Sequence, residues 1–178
     1  MATANPYAAP AALVDDVAAN PEAEAIRRAH ISHEASIKAV GFLYYLGAVG
    51  VTLAAVFGLL GSGGEAQGAA TAVVLLVVGV GQFFAGWGVR ALTKWGRVLG
   101  CVLSGLGLLA FPIGTAINAY ILYLFLSKKG RTIFAPEYQA VIAATPHVKY
   151  RTSIVVWIFL ALIAGLVLVA IVAPFFSR

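Results

Sequence analysis

The chain has 178 residues, of which 61% are hydrophobic and 11% are charged, and its formal net charge is +5. Soluble domains are typically about 45–50% apolar and about 25% charged, and a chain of this length has too little interior to hide such an excess. A soluble globular protein is therefore excluded. We predict an all-α integral membrane bundle with no nucleic-acid partner.

Residues 1–19 are predicted to form a disordered tail. Their sequence, MATANPYAAPAALVDDVAA, is rich in Ala and Pro and offers little to pack. Asp15 and Asp16 interrupt the place where a secretory signal needs an apolar core, and no basic segment precedes them. We therefore expect the first membrane span to direct insertion.

Residues 20–38 are predicted to form a cytoplasmic amphipathic helix. Asn20 is a good N-cap, and Pro21 suits the first helical position. Glu34 precedes Lys38 by four residues, a spacing at which opposite charges stabilise a helix. We expect this helix to run toward or into the first span.

Three stretches are long and apolar enough to cross a membrane as helices, which takes about 20 residues each. They are residues 39–61, 69–89 and 154–173. The Gly-rich sequence GSGGEAQG separates the first two and predicts a turn. The last span belongs to the terminal segment 154–178.

The apolar run 98–127 is predicted to turn back as a short helical hairpin, which brings the number of membrane segments to five. One straight helix of this length would extend about 45 Å, whereas a split at Pro112 leaves two arms of about 21–24 Å. Lys and Arg accumulate in cytoplasmic loops. With a hairpin and a cytoplasmic N-terminus, eleven of the twelve Lys and Arg residues are cytoplasmic, whereas a single crossing divides them seven to five. Pro112 and Gly114 favour the turn, and a kinked single helix is the alternative.

Residues 128–153 are predicted to form a basic cytoplasmic loop with an interfacial helix. In that helix Tyr138, Val141 and Ile142 share one face. The basic residues expected to contact anionic lipid headgroups are Lys128, Lys129, Arg131, Lys149 and Arg151. The alternative is that this helix packs under the membrane bundle.

The sequence HISHE is the strongest candidate for a metal site. His30, His33 and Glu34 share a helical face, and imidazole and carboxylate groups can bind Zn²⁺. His147 is a possible third imidazole. The order of the motif differs from the HExxH of zinc hydrolases, and no Cys or Asp cluster completes four ligands. A solvated helix face explains the pattern better, so we predict no metal and no cofactor.

The predicted membrane segments contain no Asp, Glu, Lys, Arg or His. This argues against a pump or an ion-coupled transporter. Gln82 and Asn118 are the amides at depth, and hydrogen bonds between helices explain them best. A pore or ligand site lined by the two amides is the alternative. We find no GxSxG, Walker or CxxC motif, and we predict no enzyme activity.

Small residues at helical spacing predict close packing of the membrane helices. Gly96, Gly100 and Ser104 follow one another at intervals of four, and Gly47 and Gly79 lie in the first two spans. Small residues let helix backbones approach closely in lipid. We expect these five residues to pack helices within the chain or between copies.

Two stretches resemble a known group of proteins. The tail NPYAAPAALVDD and the run RVLGCVLSGLGLLAFPIGTAINAYILYLFLSKKGRTIF are similar to small, uncharacterised multi-spanning bacterial membrane proteins. Those proteins join an NPYxxP-type tail to an FPIGT-containing hydrophobic segment. The resemblance implies a location in the bacterial inner membrane and supplies no activity.

These observations predict a non-enzymatic structural or accessory subunit. Its partners would be the anionic inner leaflet of the bilayer and either further copies of the chain or a larger membrane complex. The alternative hypothesis is a passive channel or carrier for a small solute.

Overall fold

The computed structural model describes residues 20–150, together with Ala161 and Gly165. Within this part the chain forms six α-helices and no strand, which confirms the predicted all-α class. The helices are α1 (Pro21–Gly61), α2 (Ala66–Arg90), α3 (Lys94–Gly107), α4 (Ile113–Leu126), α5 (Lys128–Ile133) and α6 (Pro136–Ala144). The predicted tail 1–19 and the predicted last span 154–173 lie outside the described residues, apart from Ala161 and Gly165.

Helix α1 joins the predicted amphipathic helix and the predicted first span into one element. Asn20 caps it, since its side-chain oxygen accepts a hydrogen bond from the backbone N–H of Ala23 at 3.1 Å. Its 41 residues correspond to a length of about 60 Å. After Gly61 the chain turns through Gly63 and Gly64, whose φ angles of 59° and 89° are conformations that glycine adopts without steric cost.

Helix α2 runs antiparallel to α1 along a line of small residues. A Cβ added at Gly86 would lie 2.9 Å from the carbonyl oxygen of Gly41, and one at Gly79 would lie 2.6 Å from the hydroxyl of Thr52. Backbones that approach so closely leave no room for larger side chains. The small residues therefore set the distance between the two long helices.

The run from Lys94 to Leu126 is a helical hairpin, as predicted, and not one kinked helix. Helices α3 and α4 have 14 residues each, or about 21 Å, and are joined by residues 108–112. They are antiparallel: Gly100 faces Phe125 near the open end, and Gly107 faces Asn118 near the turn. Near the open end, Arg97 Nε also donates a 2.9 Å hydrogen bond to the carbonyl of Phe125.

Residues 128–153 were predicted to form a basic loop with one interfacial helix. The described part, residues 128–150, forms two helices, α5 and α6, which both contact α1. Tyr138 is buried, and Val141 and Ile142 pack beside the core. The apolar face of α6 therefore covers α1, because Tyr138 finds there both an apolar environment and an acceptor for its hydroxyl group. This is the packing alternative of the prediction.

The core lies at the end of the bundle where all six helices meet. The distal halves of α1 and α2 extend beyond it. Its buried members come from α1, α2, α4, α5 and α6 and the adjoining turns: Ile37, Val40, Tyr44, Ala85, Val89, Leu92, Ile121, Leu124, Phe125, Ile133, Phe134 and Tyr138. Leu92 adopts a φ of 54°, which is unfavourable for a non-glycine residue, yet its side chain is buried. Burial of that side chain offsets the backbone cost at the turn between α2 and α3.

Helices α1 and α2 are long and apolar enough to cross a membrane. Only 17% of the most apolar 18-residue window of each helix is buried, whereas the core helix of a soluble protein is mostly buried. Helix α4 is apolar but shorter. In the described part of the chain, two of the five predicted membrane segments are therefore long enough to span a membrane.

Candidate functional site

A buried carboxylate organises the end of the molecule where α1 begins. Glu34 is only 3% exposed, and three side chains converge on it. Lys38 Nζ lies 2.7 Å from its Oε1, and the Tyr138 hydroxyl donates to its Oε2 at 3.0 Å. Arg27 Nε lies 3.0 Å from Oε2, and a second guanidinium nitrogen donates to Oε1 at 3.3 Å. We call Arg27, Glu34, Lys38, Tyr138 and Thr145 the Glu34 cluster.

The Glu34 cluster attaches α6 to α1 at two places. One is the bond from Tyr138 to Glu34. The other is at Thr145, where Arg27 donates to the hydroxyl at 3.4 Å, and that hydroxyl donates to the carbonyl of Val141 at 2.6 Å. Arg27 is itself buried, so its charge depends on Glu34 for compensation.

The environment of Tyr138 keeps its phenol protonated. Burial is the main cause that raises its pKa above the usual value near 10, and the negative charge of Glu34 and the hydrogen bond to Glu34 raise it further. A neutral phenol can donate to a carboxylate, whereas a phenolate would repel it. Tyr138 is therefore a permanent donor to Glu34 at physiological pH.

The three residues of the predicted metal motif have separate partners. His30 Nδ1 lies 2.9 Å from the carbonyl of Ile26, one helical turn before it. His33 Nε2 lies 2.9 Å from the carbonyl of Leu124, which can only accept, so that nitrogen carries the hydrogen. Glu34 is occupied by the Glu34 cluster.

The structure thus does not bring the HISHE residues together as a ligand set. His147, the possible third imidazole, lies 3.8 Å from Glu24 instead. Among the described residues, no group of three or more His, Cys, Asp or Glu side chains is arranged to hold a metal ion. The expectation that this face is solvated was also wrong for Glu34, which the sequence pattern could not distinguish from an exposed glutamate.

His33 connects α1 to the junction of α4 and α5. Its Nε2 lies 3.2 Å from the Ser127 hydroxyl, which also accepts a bond from the N–H of Gly130 at 3.1 Å and so caps α5. The carbonyl of Leu124, at the C-terminal end of α4, also accepts a hydrogen bond from the Ser127 hydroxyl at 3.1 Å. The imidazole therefore bonds backbone and hydroxyl groups, which is a structural role.

Tyr44 of α1 makes a second polar contact between helices. Tyr44 is buried, and its hydroxyl lies 2.8 Å from the carbonyl of Gly100 and 2.7 Å from the hydroxyl of Ser104. Ser104 is completely buried. The intervals of four in α3 point to Ser104, but nothing in the sequence pairs it with Tyr44.

The predicted packing residues lie at contacts between helices. A Cβ on Gly96 would collide with the backbone of Gly88 in α2, and one on Gly100 would lie 2.5 Å from the ring of Phe125. Ser104 bonds Tyr44, as described. Gly47 faces the side chain of Gln82, and Gly79 faces Thr52. These contacts are all within one chain.

The two amides of the predicted membrane segments have different neighbours. Gln82 lies between α2 and α1 against Gly47, with its buried Oε1 lacking a hydrogen-bond partner. Asn118 lies against Gly107 in the hairpin and donates to the carbonyl of Gly114 at 2.8 Å. Two cavities occur between α1 and α2, of about 360 and 220 Å³, and neither is lined by Gln82 or Asn118. The two amides thus lie at different helix contacts, Gln82 against α1 and Asn118 against α3.

The basic residues predicted to contact lipid headgroups are exposed where the structure describes them. These are Lys128, Lys129, Arg131 and Lys149, whereas Arg151 lies outside the described residues. Arg131 Nε also donates to the carbonyl of Leu126 at 3.3 Å.

Comparison with models of known protein families, with curated proteins and with solved structures gives no match.

Proposed function

We propose that the chain is a non-enzymatic integral protein of the bacterial inner membrane that acts as a structural or accessory subunit. In this proposal α1 from about residue 39, α2, the α3–α4 hairpin and residues 154–173 are the membrane segments. The start of α1, with α5 and α6 packed on it, lies on the cytoplasmic side. The location follows the resemblance to small bacterial membrane proteins.

The observation that carries the proposal is the separation of charge from apolar surface along the bundle. Ten of the twelve Lys and Arg residues lie in the described part of the chain. All ten fall at the end that contains the Glu34 cluster, because α1 and α3 start there and α2 and α4 end there. Lys and Arg mark the cytoplasmic side of bacterial membrane proteins. The opposite end of α1 and α2 carries exposed Val and Leu side chains with Glu65 as its charge.

An accessory role is supported by how the polar groups are used. The carboxylate, the cations and the phenol of the Glu34 cluster bond one another, and the two histidines of HISHE bond backbone carbonyls. A substrate would have to break these contacts before it could bind. We therefore propose further copies of the chain or another membrane subunit as the partner, bound through the exposed apolar faces of α1 and α2.

Labelling in intact cells tests the orientation. The Cys101→Ser background receives either Lys129→Cys or Glu65→Cys, and a membrane-impermeant thiol reagent is added. We expect labelling at position 65 and protection at 129 until the cells are permeabilised. Labelling at 129 in intact cells would overturn the orientation.

The accessory role is tested by purification in mild detergent, followed by mass spectrometry of the intact assembly. We expect a stable homo-oligomer or a co-purifying membrane subunit. A lone monomer that catalyses flux of a small solute in vesicles would instead support the channel hypothesis.

A further inference from the structure

We propose that the α3–α4 hairpin is re-entrant: its tip, residues 108–113, ends inside the hydrocarbon core and binds lipid acyl chains near the middle of the bilayer. The inference rests on the proposed function, because it requires that the chain be embedded in a membrane. It goes further, since it assigns a lipid-binding surface to a segment that would otherwise count as two membrane spans.

The first argument is length. The hydrocarbon core is about 30 Å thick, and each hairpin arm of 14 residues extends only about 21 Å. Lys94 and Arg97 at the start of α3, and Lys128 just after α4, hold the open end at the headgroups of the cytoplasmic side. The two arms therefore pass the midplane but end about 9 Å before the far surface, and only the short tip extends beyond them.

The second argument is the surface of the tip. Leu109, Phe111 and Ile113 are 84%, 86% and 73% exposed. No charged residue occurs between Arg97 and Lys128. Three large apolar side chains on one projecting turn are stable only in an apolar environment, and acyl chains supply that environment at this depth.

The third argument is that the N–H groups in the first part of the tip, residues 108–111, are satisfied within the hairpin. A turn in the hydrocarbon core must satisfy its own N–H groups. The N–H groups of residues 108–111 all donate within the hairpin at 3.0–3.3 Å, and Pro112 has none. The Thr115 hydroxyl donates to the carbonyl of Leu108 at 2.6 Å, and the Thr115 N–H donates to that of Ala110 at 3.1 Å.

The fourth argument is a comparison with the turn between α1 and α2. That turn, residues 62–65, follows a helix long enough to cross the bilayer, and its sequence SGGE is polar and Gly-rich. The hairpin tip has the sequence LLAFPI and no polar side chain. If the hairpin tip reached the far headgroups, we would expect its sequence to be polar and Gly-rich, like that of the turn between α1 and α2.

Fluorescence quenching by brominated lipids measures the depth of the tip. In a Trp87→Phe, Trp95→Phe, Trp157→Phe background, a single tryptophan is introduced as Phe111→Trp or, separately, as Leu109→Trp. The matched control is Leu60→Trp, which lies beside the turn between α1 and α2. The full-length protein is reconstituted in vesicles of lipid brominated either near the headgroup or near the chain terminus, and circular dichroism verifies that each variant is folded.

For the tryptophans at positions 111 and 109, we expect lipid brominated near the chain terminus to quench more fluorescence than lipid brominated near the headgroup. For the tryptophan at position 60 we expect the reverse. Headgroup-level quenching at the tip would mean that the hairpin crosses the bilayer, and the proposal would be wrong. A tip that no bromolipid quenches, beside a quenched position 60, would mean that protein covers it, and this also overturns the inference while membrane integration stands. No quenching at any of the three positions would overturn the proposed function as well.

Discussion

The two halves of α1 are stabilised in different ways. The longer part, Pro21–Ala48, which we call the packed half, buries eight side chains or glycines, including two charged residues that bond Tyr138 and Thr145. Beyond Ala48, only Ala55 is buried, and Leu60 is 74% exposed. One helix thus passes from a part that packs against polar and apolar groups of other helices to a part whose apolar side chains are exposed.

This difference indicates where the specificity of the fold resides. The packed half brings together five helices through contacts that only one arrangement satisfies, since Glu34 and Tyr44 each bond residues far away in the sequence. The exposed half relies on the small-residue contact of α1 with α2. We expect substitutions in the packed half to unfold the protein and those in the exposed half to change what surrounds it.

The largest effect is expected for Glu34→Gln, compared with Glu24→Gln on the same helix. Both glutamates pair with a cation four residues later, but the Glu34 side chain is buried and the Arg28 partner of Glu24 is largely exposed. Removal of the Glu34 charge leaves Arg27 buried and uncompensated, which typically costs about 3–5 kcal/mol. Loss of the exposed pair costs about 0–1 kcal/mol.

Chemical unfolding in detergent, followed by far-UV circular dichroism, measures both variants. Equal effects of Glu34→Gln and Glu24→Gln would mean that the Glu34 cluster is hydrated in solution and does not stabilise the packed half.

The second largest effect is expected for Gly96→Ala, at the close contact between α3 and α2. Gly105→Ala in the same helix is the control. A Cβ on Gly96 would collide with the backbone of Gly88, which cannot move aside as a side chain can. Nothing lies within 4 Å of a Cβ on Gly105. We expect Gly96→Ala to destabilise by about 1–3 kcal/mol and Gly105→Ala to stabilise by about 0.5–1 kcal/mol through helix propensity.

Thermal melting of the detergent-solubilised protein checks this pair of variants. If Gly96→Ala melts at the wild-type temperature, α2 and α3 are further apart than the structure has them.

The third effect depends on pH and involves Tyr138→Phe. At pH 8 the wild type is expected to be more stable by about 1.5 kcal/mol, because the variant lacks one hydrogen bond to a charged acceptor. The folded-state pKa of Tyr138 is raised, so its contribution is fully present below the unfolded pKa of about 10. As the pH rises above about 10, the phenol ionises in the unfolded chain only, and the advantage of the wild type is lost.

The free energy of unfolding at pH 8 and pH 11 measures this effect, with Tyr150→Phe as the control at an exposed tyrosine. A gap between wild type and Tyr138→Phe that does not shrink at high pH would contradict the raised pKa.

The elements of the fold could be predicted from the sequence better than the contacts of the Glu34 cluster. Helices α1 and α2 follow from apolar length and turn residues, which are local, and the hairpin follows from the distribution of Lys and Arg along the chain. Arg27, Glu34 and Lys38 are spaced by seven and four residues, which places them on one face of a helix. The same spacing of four joins Glu24 to Arg28, which is largely exposed, so the pattern indicates the ion pairs but not their burial.

The remaining partners of the cluster could not be predicted in the same way. Tyr138 lies 104 residues from Glu34 in the chain, and Thr145 lies 118 from Arg27. A periodic pattern shows that a helix has an apolar face but not which surface covers it. Helix α6 is an example, because its nine residues suit a lipid surface and a protein surface equally well.

The smallest effect is expected on the exposed face of α2, for Val77→Ala compared with Ile133→Ala in the core. Ile133 is completely buried, and truncation of a buried isoleucine costs about 2–5 kcal/mol. Val77 is 67% exposed in the single chain, so in the detergent-solubilised monomer its truncation removes little protein contact and should change the free energy of unfolding by less than about 0.5 kcal/mol. The comparison is informative in either direction, because detergent or lipid replaces a missing methyl group on a bare surface, whereas a protein surface leaves a cavity. A cost for Val77→Ala near that for Ile133→Ala would therefore mean that another segment or another copy covers this face of α2. If another copy covers it, the wild type would elute from a sizing column as an oligomer and the Val77→Ala variant as a monomer.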